Sequence, residues 1–456
     1  MKLILLSGGS GKRLWPLSND ARSKQFLKVL AHSNHNESMV QRVWRQINQA
    51  NLAQHTIIAT GKAQVDVMQN QLSSDVPLLV EPERRDTFPA IALAATYLYS
   101  IKNTSLDEVI AVLPVDPYVE PHFFNRIQDL EQLVTNSNTE LALIGAKPTY
   151  PSSKYGYIVP DDPTSINNYI RVKSFKEKPT ESQAEKLIEQ QAMWNCGVFA
   201  FKLGYIISLL ESKSWPIHYE ELLKQYASLP KISFDYEVVE KANDIIAIPY
   251  QGYWKDLGTW NTLTEEMATT VLGKGIISTD SNNTHIVNEL DVPVTVLGLS
   301  NIVVAASPDG ILVTDKSASP RIKELIGSYE ERPMYEERRW GWYKVLDYTR
   351  YEEGQEVLTK RICVQEGKSS SYQIHYKRSE VWTFIKGTGE IVINDRIIPV
   401  KAGDVWHIPV GTKHAVYASS DMEFIEVQSG SELIEEDVTR LLLDWKQIQE
   451  HCLSRL

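Results

Sequence analysis

Apolar runs alternate with amphipathic stretches over the first 150 residues of this 456-residue chain. Between the runs, the 3.6-residue period of residues 39–50 and 90–99 predicts helices. Strands that are apolar on both faces and alternate with helices indicate an α/β fold with a mostly parallel sheet, whose ligands bind beyond the carboxyl ends of the strands. The runs with the length of a strand are residues 56–59, 77–80, 109–113 and 141–144.

The pattern changes after residue 271. A closing helix is predicted over residues 433–453, with Glu435, Glu436 and Asp437 in its first turn, where the helix dipole favours acidic side chains. Short pieces rich in β-formers come earlier, and strands with evenly spaced glycine turns indicate a small barrel. The predicted parts are an α/β domain at 1–271, a β-rich, β-helix-like segment at 272–326, a linker at 327–340, a barrel at 341–430 and a C-terminal helix at 431–456.

Composition excludes several classes of protein. The net charge of −11 argues against a nucleic-acid surface, which needs clustered excess Lys and Arg. Three widely spaced cysteines lack the spacing of a zinc site and indicate reduced thiols in the cytoplasm. The N-terminal apolar run is too short for a signal peptide or a membrane span, so we expect no membrane partner. We also expect a homodimer.

A glycine-rich loop follows the first apolar run directly. Gly8, Gly9 and Gly11 let the backbone turn tightly and bring N–H groups against a large anion. Lys12 and Arg13 add two cations, so the loop predicts a site for a chain of phosphates. The loop is not a Walker A motif, because Arg13 stands where that motif needs Ser or Thr, and its glycine spacing does not fit the dinucleotide fingerprint.

The loop GGSGKRLWPLS at 8–18, followed by SKQFL at 23–27, resembles the opening signature of the sugar-1-phosphate nucleotidyltransferases, and in particular of the mannose-1-phosphate guanylyltransferases. The resemblance implies a Rossmann-like domain with a mixed, mostly parallel sheet. The segment at 81–90 resembles the family's guanine contact, with Asp86 where Asn is usual; capping of a helix by Asp86 or Thr87 is the alternative. The nucleotide-binding residues that the family implies are Leu6, Gly8, Gly9, Gly11, Lys12, Arg13, Glu81, Pro82, Arg85, Asp86 and Thr87.

Two aspartates are expected to share a Mg²⁺ ion. Asp116 ends the most apolar strand, and Asp256 lies in WKDLGTW at 254–260, which resembles the family's Trp-x-Asp-x-Gly-x-Trp motif. A carboxylate at a strand end beside phosphates is a usual Mg²⁺ ligand. The family has Ser and His beside the first aspartate, where this chain has Val115 and Pro117. The catalytic set that the resemblance implies is Arg13, Lys24, Asp116 and Asp256.

Further motifs resemble the family's sugar-phosphate segments: YGYI at 155–158, FKEKP at 175–179, WNCGVF at 194–199 and SFDYE at 233–237. They imply that GTP and mannose 1-phosphate give GDP-mannose and diphosphate by in-line attack at the α-phosphorus. Two alternatives stay open, namely another nucleotide or sugar 1-phosphate, and a non-catalytic subunit that binds sugar nucleotides. The sugar-phosphate residues implied are Tyr155, Gly156, Glu177, Lys178, Asn195, Gly197, Asp235 and Tyr236.

The predicted barrel resembles the cupin domain fused to guanylyltransferases that also isomerise mannose 6-phosphate. The resemblance rests on QIHYKRSEVW at 373–382, the glycine turns and IPVGTKH at 408–414. It implies a divalent metal on His375, Glu380 and His414, with Gln373 as a further candidate. Other histidines of the family are replaced by Tyr376, Lys377 and Val381, and Lys377 would oppose a metal unless it turns away. Two hypotheses stay open: an active isomerase, or a degenerate barrel that serves assembly or sugar binding.

Overall fold

The computed structural model describes residues 1–9, 11–137, 139–162, 168–326 and 331–453. Residues 327–330 of the predicted linker lie outside this part. The chain forms two compact units. The first contains Met1–Val65, Asp75–Thr270 and Asp315–Glu324, and the second contains Asp66–Ser74, Val271–Thr314 and Leu325–Leu456.

The first unit is built on a nine-stranded mixed sheet with the strand order β5-β4-β1-β6-β11-β8-β12-β10-β9. β5, β4, β1 and β6 run parallel, as do β8 and β12, whereas β11 is antiparallel to both β6 and β8. The predicted apolar runs all lie in this sheet. Its strands and two short ribbons are β1 (Lys2–Ser7), β2 (Leu30–His32), β3 (His35–Glu37), β4 (Thr56–Gly61), β5 (Leu78–Glu81), β6 (Val109–Pro114), β7 (Pro117–Val119), β8 (Leu141–Ala146), β9 (Tyr157–Pro160), β10 (Ile170–Lys176), β11 (Met193–Lys202), β12 (Ile245–Tyr250) and β13 (Trp254–Asp256).

The helices begin where the sequence offers caps. A capping box between Ser38 and Gln41 starts the first helix, and Asp86 caps the third through the N–H of Thr87. No helix of the described residues is long and apolar enough to cross a membrane. The α-helices are α1 (Met39–Gln49), α2 (Val65–Gln71), α3 (Thr87–Ser100), α4 (Phe123–Asn136), α5 (Glu181–Glu189), α6 (Leu203–Ser212), α7 (Tyr219–Gln225), α8 (Phe234–Glu237), α9 (Trp260–Thr264), α10 (Ile322–Ile326) and α11 (Trp445–Leu453).

The core of the first unit lies between the sheet and α3. Residues 88–95 of α3 are all buried, because this helix packs against the sheet on one side and against α6 and α7 on another. β6 and β8 are likewise buried on both faces, which explains why they read as uninterrupted apolar runs. The strand that leads to Asp116 is thereby held in the core.

The second unit contains short parallel strands and a barrel. β14 pairs with β16 and β16 with β18 in parallel, and β15 pairs with β17 in parallel. The barrel has two sheets, ordered β20-β21-β22-β29-β24-β27 and β26-β25-β28-β23-β30. The strands are β14 (Val271–Leu272), β15 (Gly275–Ile277), β16 (His285–Asn288), β17 (Val294–Val296), β18 (Ile302–Ser307), β19 (Gly310–Asp315), β20 (Tyr335–Arg338), β21 (Gly341–Arg350), β22 (Glu356–Val364), β23 (Tyr372–Ile374), β24 (Arg378–Lys386), β25 (Thr388–Ile393), β26 (Arg396–Lys401), β27 (Val405–Ile408), β28 (His414–Ala418), β29 (Met422–Gly430) and β30 (Thr439–Leu442).

The predicted closing helix is wrong over its first half. The helix α11 begins only at Trp445, and Thr439–Leu442 form a strand instead. Glu435 pairs with Lys360, and the Asp437 carboxylate accepts hydrogen bonds from two backbone N–H groups of the barrel. These tertiary contacts outweigh a helix-dipole preference that is worth less than about 1 kcal/mol at an exposed position.

Candidate active site

The glycine loop lies at the carboxyl end of β1, where it was predicted. Gly9 and Gly11 have φ values of 132° and 62°. A Cβ on Gly11 would lie 2.4 Å from the carbonyl oxygen of Asn19, so only glycine fits there. The Gln64 side chain holds the loop by donating to the Gly9 carbonyl oxygen (3.3 Å) and to Ser23 Oγ (3.1 Å). Gln64 therefore connects Gly9 to the segment that begins at Ser23.

The two predicted metal ligands meet at one ammonium group. Antiparallel pairing of β7 with β13 places Asp256 opposite Pro117, beside Asp116. Lys24 Nζ lies 2.7 Å from Asp116 Oδ2 and 2.9 Å from Asp256 Oδ1. Burial alone would lower the pKa of Lys24, but the two aspartates raise it well above its ordinary value. The carboxylate pair thus already binds a cation, here from the chain itself.

A pocket of about 210 Å³ opens beside this group. Glu177, Asn195 and Asp235 line it together with Lys24 and the two aspartates, as do Tyr155, Gly156 and Gly197. Lys154, Pro114, Pro117, Cys196 and Trp254 line it too, and none of them was predicted. The sequence signal for Lys154 was its place directly before the YGYI motif.

The floor of the pocket is a hydrogen-bonded chain of side chains. Asn195 Nδ2 donates to Asp235 Oδ1 (2.9 Å), and Asn195 Oδ1 accepts from the Gly197 N–H (3.0 Å). Burial, together with the Glu177 carboxylate, raises the pKa of Asp235 to about 7. Lys178 is not among the lining residues; its Nζ lies 2.6 Å from Glu177 Oε1, and 5.8 Å from the ring centre of Tyr236. The pocket therefore offers carboxyl and amide groups for hydroxyls, with cations at its rim.

The predicted guanine segment lies outside the lining of this pocket. Glu81 is buried and accepts from the Tyr226 hydroxyl (2.6 Å). Asp86 accepts from the Thr87 N–H (2.7 Å), which is the capping alternative of the sequence analysis. Arg85 donates to the Leu229 carbonyl oxygen (2.8 Å). These contacts hold the segment against the helices of the first unit, and Pro82 is exposed.

The barrel brings His375, Glu380 and His414 together. One ligand atom from each lies within 4.8 Å of the others, and all three residues are buried. Burial lowers the pKa of His375 to about 4. Burial alone would raise the pKa of Glu380, but His414, His375 and Arg378 lower it to about 2. The imidazole of His375 is thus neutral and the carboxylate ionised, which is the state that a divalent metal requires.

Lys377 does not oppose a metal at this cluster. Its side chain is exposed and turns away to pair with Glu432. The cation that faces the cluster is Arg378, which the sequence analysis missed: its Nε donates to Glu380 Oε1 (3.0 Å), and its Nη2 lies 3.1 Å from His375 Nε2. His414 Nε2 is buried and makes no hydrogen bond within the described residues, so it offers a donor atom to a metal. A metal on His375 Nε2 and Glu380 Oε1 would have to displace Arg378 from these two atoms.

Replacement of Asp235 by Asn tests the raised pKa through stability. Because the folded-state pKa of about 7 lies above the ordinary 3.8, Asp235 contributes stability that is fully present below the unfolded pKa and is lost as pH rises through the folded pKa. We expect the melting-temperature difference between Asp235→Asn and wild type to shift in favour of the variant as pH rises from about 4 to 7. Asp107→Asn, at a side chain that is 91% exposed, is the control. A difference that stays constant with pH contradicts the assignment.

Two family profiles match the chain. The nucleotidyl transferase family matches residues 2–271, and the mannose-6-phosphate isomerase C-terminal family matches residues 330–442. Xanthan biosynthesis protein XanB of Xanthomonas campestris is 30% identical over 96% of this chain and 97% of the relative. A mannose-1-phosphate guanylyltransferase of Salmonella montevideo is 29% identical over 96% and 98%.

A solved structure shares the fold over most of the chain. The Thermus thermophilus protein described as a mannose-1-phosphate geranyltransferase is 28% identical, with a TM-score of 0.62 over 72% of this chain and 99% of that one. The chain therefore belongs to the nucleotidyl transferase family, as an enzyme of the mannose-1-phosphate guanylyltransferase type that carries a mannose-6-phosphate isomerase C-terminal domain.

Proposed function

We propose that the chain transfers a guanylyl group from GTP to α-D-mannose 1-phosphate and releases diphosphate. The observation that carries the proposal is the convergence of Asp116 and Asp256 on Lys24, beside a pocket lined by hydroxyl-binding groups. The mannose-1-phosphate guanylyltransferase of Salmonella, which matches nearly the whole chain, supports the choice of substrates. We assign this reaction to residues 1–271 and a second, discussed below, to residues 341–430.

The reaction needs position and charge neutralisation rather than a protein nucleophile. An oxygen of the sugar phosphate attacks the α-phosphorus, the new P–O bond forms, and the bond from the α-phosphorus to the bridging oxygen of the leaving diphosphate breaks. The glycine loop, Arg13 and Lys24 hold the triphosphate through N–H groups and cations. Lys178 faces the sugar phosphate, while Glu177 and Asn195 bind its hydroxyls.

Mg²⁺ fits the carboxylate pair. Asp116 and Asp256 already share one cation, and Mg²⁺ takes one or two carboxylates together with phosphate oxygens. Burial alone would raise the pKa of Asp256, but Lys24 and Arg13 lower it, so this carboxylate is ionised at neutral pH. When bound, the metal would supply charge neutralisation at the phosphates. With a metal held by the two aspartates, the ammonium of Lys24 would be available to the triphosphate.

Diphosphate release from GTP and mannose 1-phosphate tests this assignment. We expect Asp256→Asn to lower kcat/KM by about a hundredfold or more and to raise the Mg²⁺ concentration needed for half-maximal rate, because one of two anionic ligands is lost. The control is Asp107→Asn, whose carboxylate is 91% exposed and lies far from the pocket in contact with Lys202. Near wild-type turnover of Asp256→Asn at limiting Mg²⁺ would show that the metal assignment is wrong.

The same assay separates the alternatives. ATP, UTP and dTTP and other sugar 1-phosphates are run beside the expected pair. Faster turnover of another pair would keep the mechanism and replace the substrates. Retained binding of GTP and mannose 1-phosphate without diphosphate release would favour a non-catalytic subunit. The homodimer and the cytoplasmic location stay predictions.

We propose a second activity in the barrel, the isomerisation of mannose 6-phosphate. The specific observation in its favour is the buried cluster of His375, Glu380 and His414, which Lys377 leaves open by turning towards Glu432. The three residues would hold a divalent metal, with the Gln373 amide close to His375 (3.2 Å). The metal would supply polarisation of the sugar oxygens when bound. Arg378 orients His375 and Glu380 through its own hydrogen bonds.

Metal content and isomerase activity of Glu380→Gln test the second activity. We expect wild type to hold a divalent metal and to form fructose 6-phosphate, and Glu380→Gln to lose about tenfold or more in metal affinity, because an anionic ligand becomes neutral. Elemental analysis after dialysis gives the content, and a coupled assay gives the rate. Glu390→Gln, on the hairpin β25–β26, is the control. Full metal retention in Glu380→Gln would contradict the ligand set.

A further inference from the structure

One end of the barrel interior is charged rather than apolar. Alternate residues of β22, β24 and β29 face inward, and towards this end they are Lys360, Glu380, Glu426 and Gln428. The other end of the same strands packs an apolar cluster that includes Trp382, Phe384 and Phe424. A charged interior costs free energy unless each charge is paired. The ion pairs of these side chains therefore indicate which kind of ligand the interior could bind.

Two cations of this end converge on one carboxylate. Lys360 Nζ lies 3.0 Å from Glu435 Oε1. Arg338 Nη2 lies 3.5 Å from Glu435 Oε2 and 2.7 Å from Glu336 Oε2, so this cation is shared by two carboxylates. Both cations also contact the ring of Tyr343, at 4.5 Å for Lys360 Nζ and 5.5 Å for Arg338 Cζ, measured to the ring centre. Two cations held around one anionic group form a site with the geometry of an oxyanion subsite.

The Glu435 carboxylate is partly exposed to solvent, whereas Lys360, its nearest cation, is buried. The side chain of Glu435 is 42% exposed, and that of Lys360 is only 5% exposed. Leu433, two residues earlier, is buried in the barrel core and anchors the segment. The Glu435 carboxylate therefore lies at the boundary between the barrel and the solvent, and its backbone is anchored two residues away at Leu433.

The pKa of Glu435 is shifted by its contacts with Lys360 and Arg338. Burial alone would raise the pKa of Glu435, but Lys360 and Arg338 lower it well below its ordinary value. The two cations thus stabilise a negative charge at this point strongly. A phosphate monoester, with up to two negative charges and three terminal oxygens, suits the same cations better than a carboxylate does.

We propose that Lys360 and Arg338 form a phosphate-monoester subsite of the barrel, that Glu435 fills it as an internal carboxylate, and that a sugar phosphate displaces Glu435 on binding. This inference deepens the proposed second activity and rests on it for the identity of the sugar.

The register of the strands places the subsite at a fitting distance from the metal-ligand cluster. Lys360 pairs with Glu426 of β29, and Glu380 pairs with Gln428 of the same strand. Two strand spacings across and two residues along correspond to about 12 Å between the backbones, and both side chains point inward and shorten this gap. An extended six-carbon sugar phosphate bridges such a gap, with its phosphate at Lys360 and its carbonyl end at Glu380 and the two histidines.

Calorimetric titration of the full-length protein with mannose 6-phosphate tests the subsite. We expect Lys360→Met to raise the Kd about tenfold or more, because the buried ammonium is lost, and Glu435→Gln to lower the Kd about tenfold, because the internal competitor loses its charge. Inorganic phosphate should bind more tightly to Glu435→Gln than to wild type. Mannose, which lacks the phosphate, should not distinguish the variants.

Matched controls lie beside both residues. Arg361→Gln removes a cation from the outer face of the same strand, where it pairs with Glu423, and Glu436→Gln neutralises the next carboxylate along the chain. Both should bind mannose 6-phosphate as wild type does. Sugar-phosphate binding in the first unit is common to all variants and cancels in these comparisons. If Lys360→Met fails to fold, the comparison of Glu435→Gln with Glu436→Gln decides the question: a Kd lowered only in Glu435→Gln supports the subsite, and equal Kd values overturn it.

The outcomes separate the subsite from the isomerase. The subsite is overturned if each variant binds mannose 6-phosphate with the same Kd as its control, that is, Lys360→Met as Arg361→Gln, or Glu435→Gln as Glu436→Gln. This holds even if fructose 6-phosphate is formed. Shifted Kd values without any fructose 6-phosphate support the subsite and contradict the proposed isomerisation. A mannose affinity that depends on Lys360 would show that the site recognises the sugar rather than the phosphate, and would overturn the proposal.

Discussion

Two carboxylates at one edge of a sheet repel each other unless a cation offsets the repulsion or one of them keeps a proton. Asp116 and Asp256 meet because β7 and β13 pair, and the ammonium of Lys24 lies between them. Lys24 belongs to the segment that follows the glycine loop, so the same ion pairs connect the loop to the strand ends. The proposed Mg²⁺ site, and the place of Lys24 in the lining of the pocket, depend on this charge balance.

The barrel also brings carboxyl groups close together, but there a bound proton as well as cations reduces their repulsion. Its interior carries several carboxyl groups, and each has a partner: Glu380 lies against Arg378, Glu426 accepts from the Trp382 indole, and Glu435 lies on Lys360. Burial and Glu380 raise the pKa of Glu426 to about 8, so this group is neutral near pH 7. Glu380 is thus ionised beside the histidines, whereas its neighbour Glu426 is protonated. Because only one of the two is charged, the repulsion between them is small.

Local sequence patterns correctly predicted the secondary structure of apolar runs and of a helix that begins with a capping box. The runs at 109–113 and 141–144 are strands because both faces are covered, and the helix predicted at 39–50 starts at the Ser38 capping box. The prediction failed at 433–444, where acidic residues that suit a helix N-terminus instead pair with Lys360 and with barrel N–H groups. A dipole preference read from sequence does not include such distant partners.

The sequence by itself determined the chemistry of the sites: the glycines that let the loop turn, the aspartates at the strand ends, and the sugar-phosphate motifs. Only the tertiary structure decided which side chains meet. Lys377 and Arg378 are neighbours of equal charge, yet one is exposed beside Glu432 and the other enters the histidine cluster. Arg378 is the first residue of β24 and faces inward like Glu380 and Trp382, whereas Lys377 precedes the strand. The start and register of β24, and not the residue type, therefore select the cation inside the barrel.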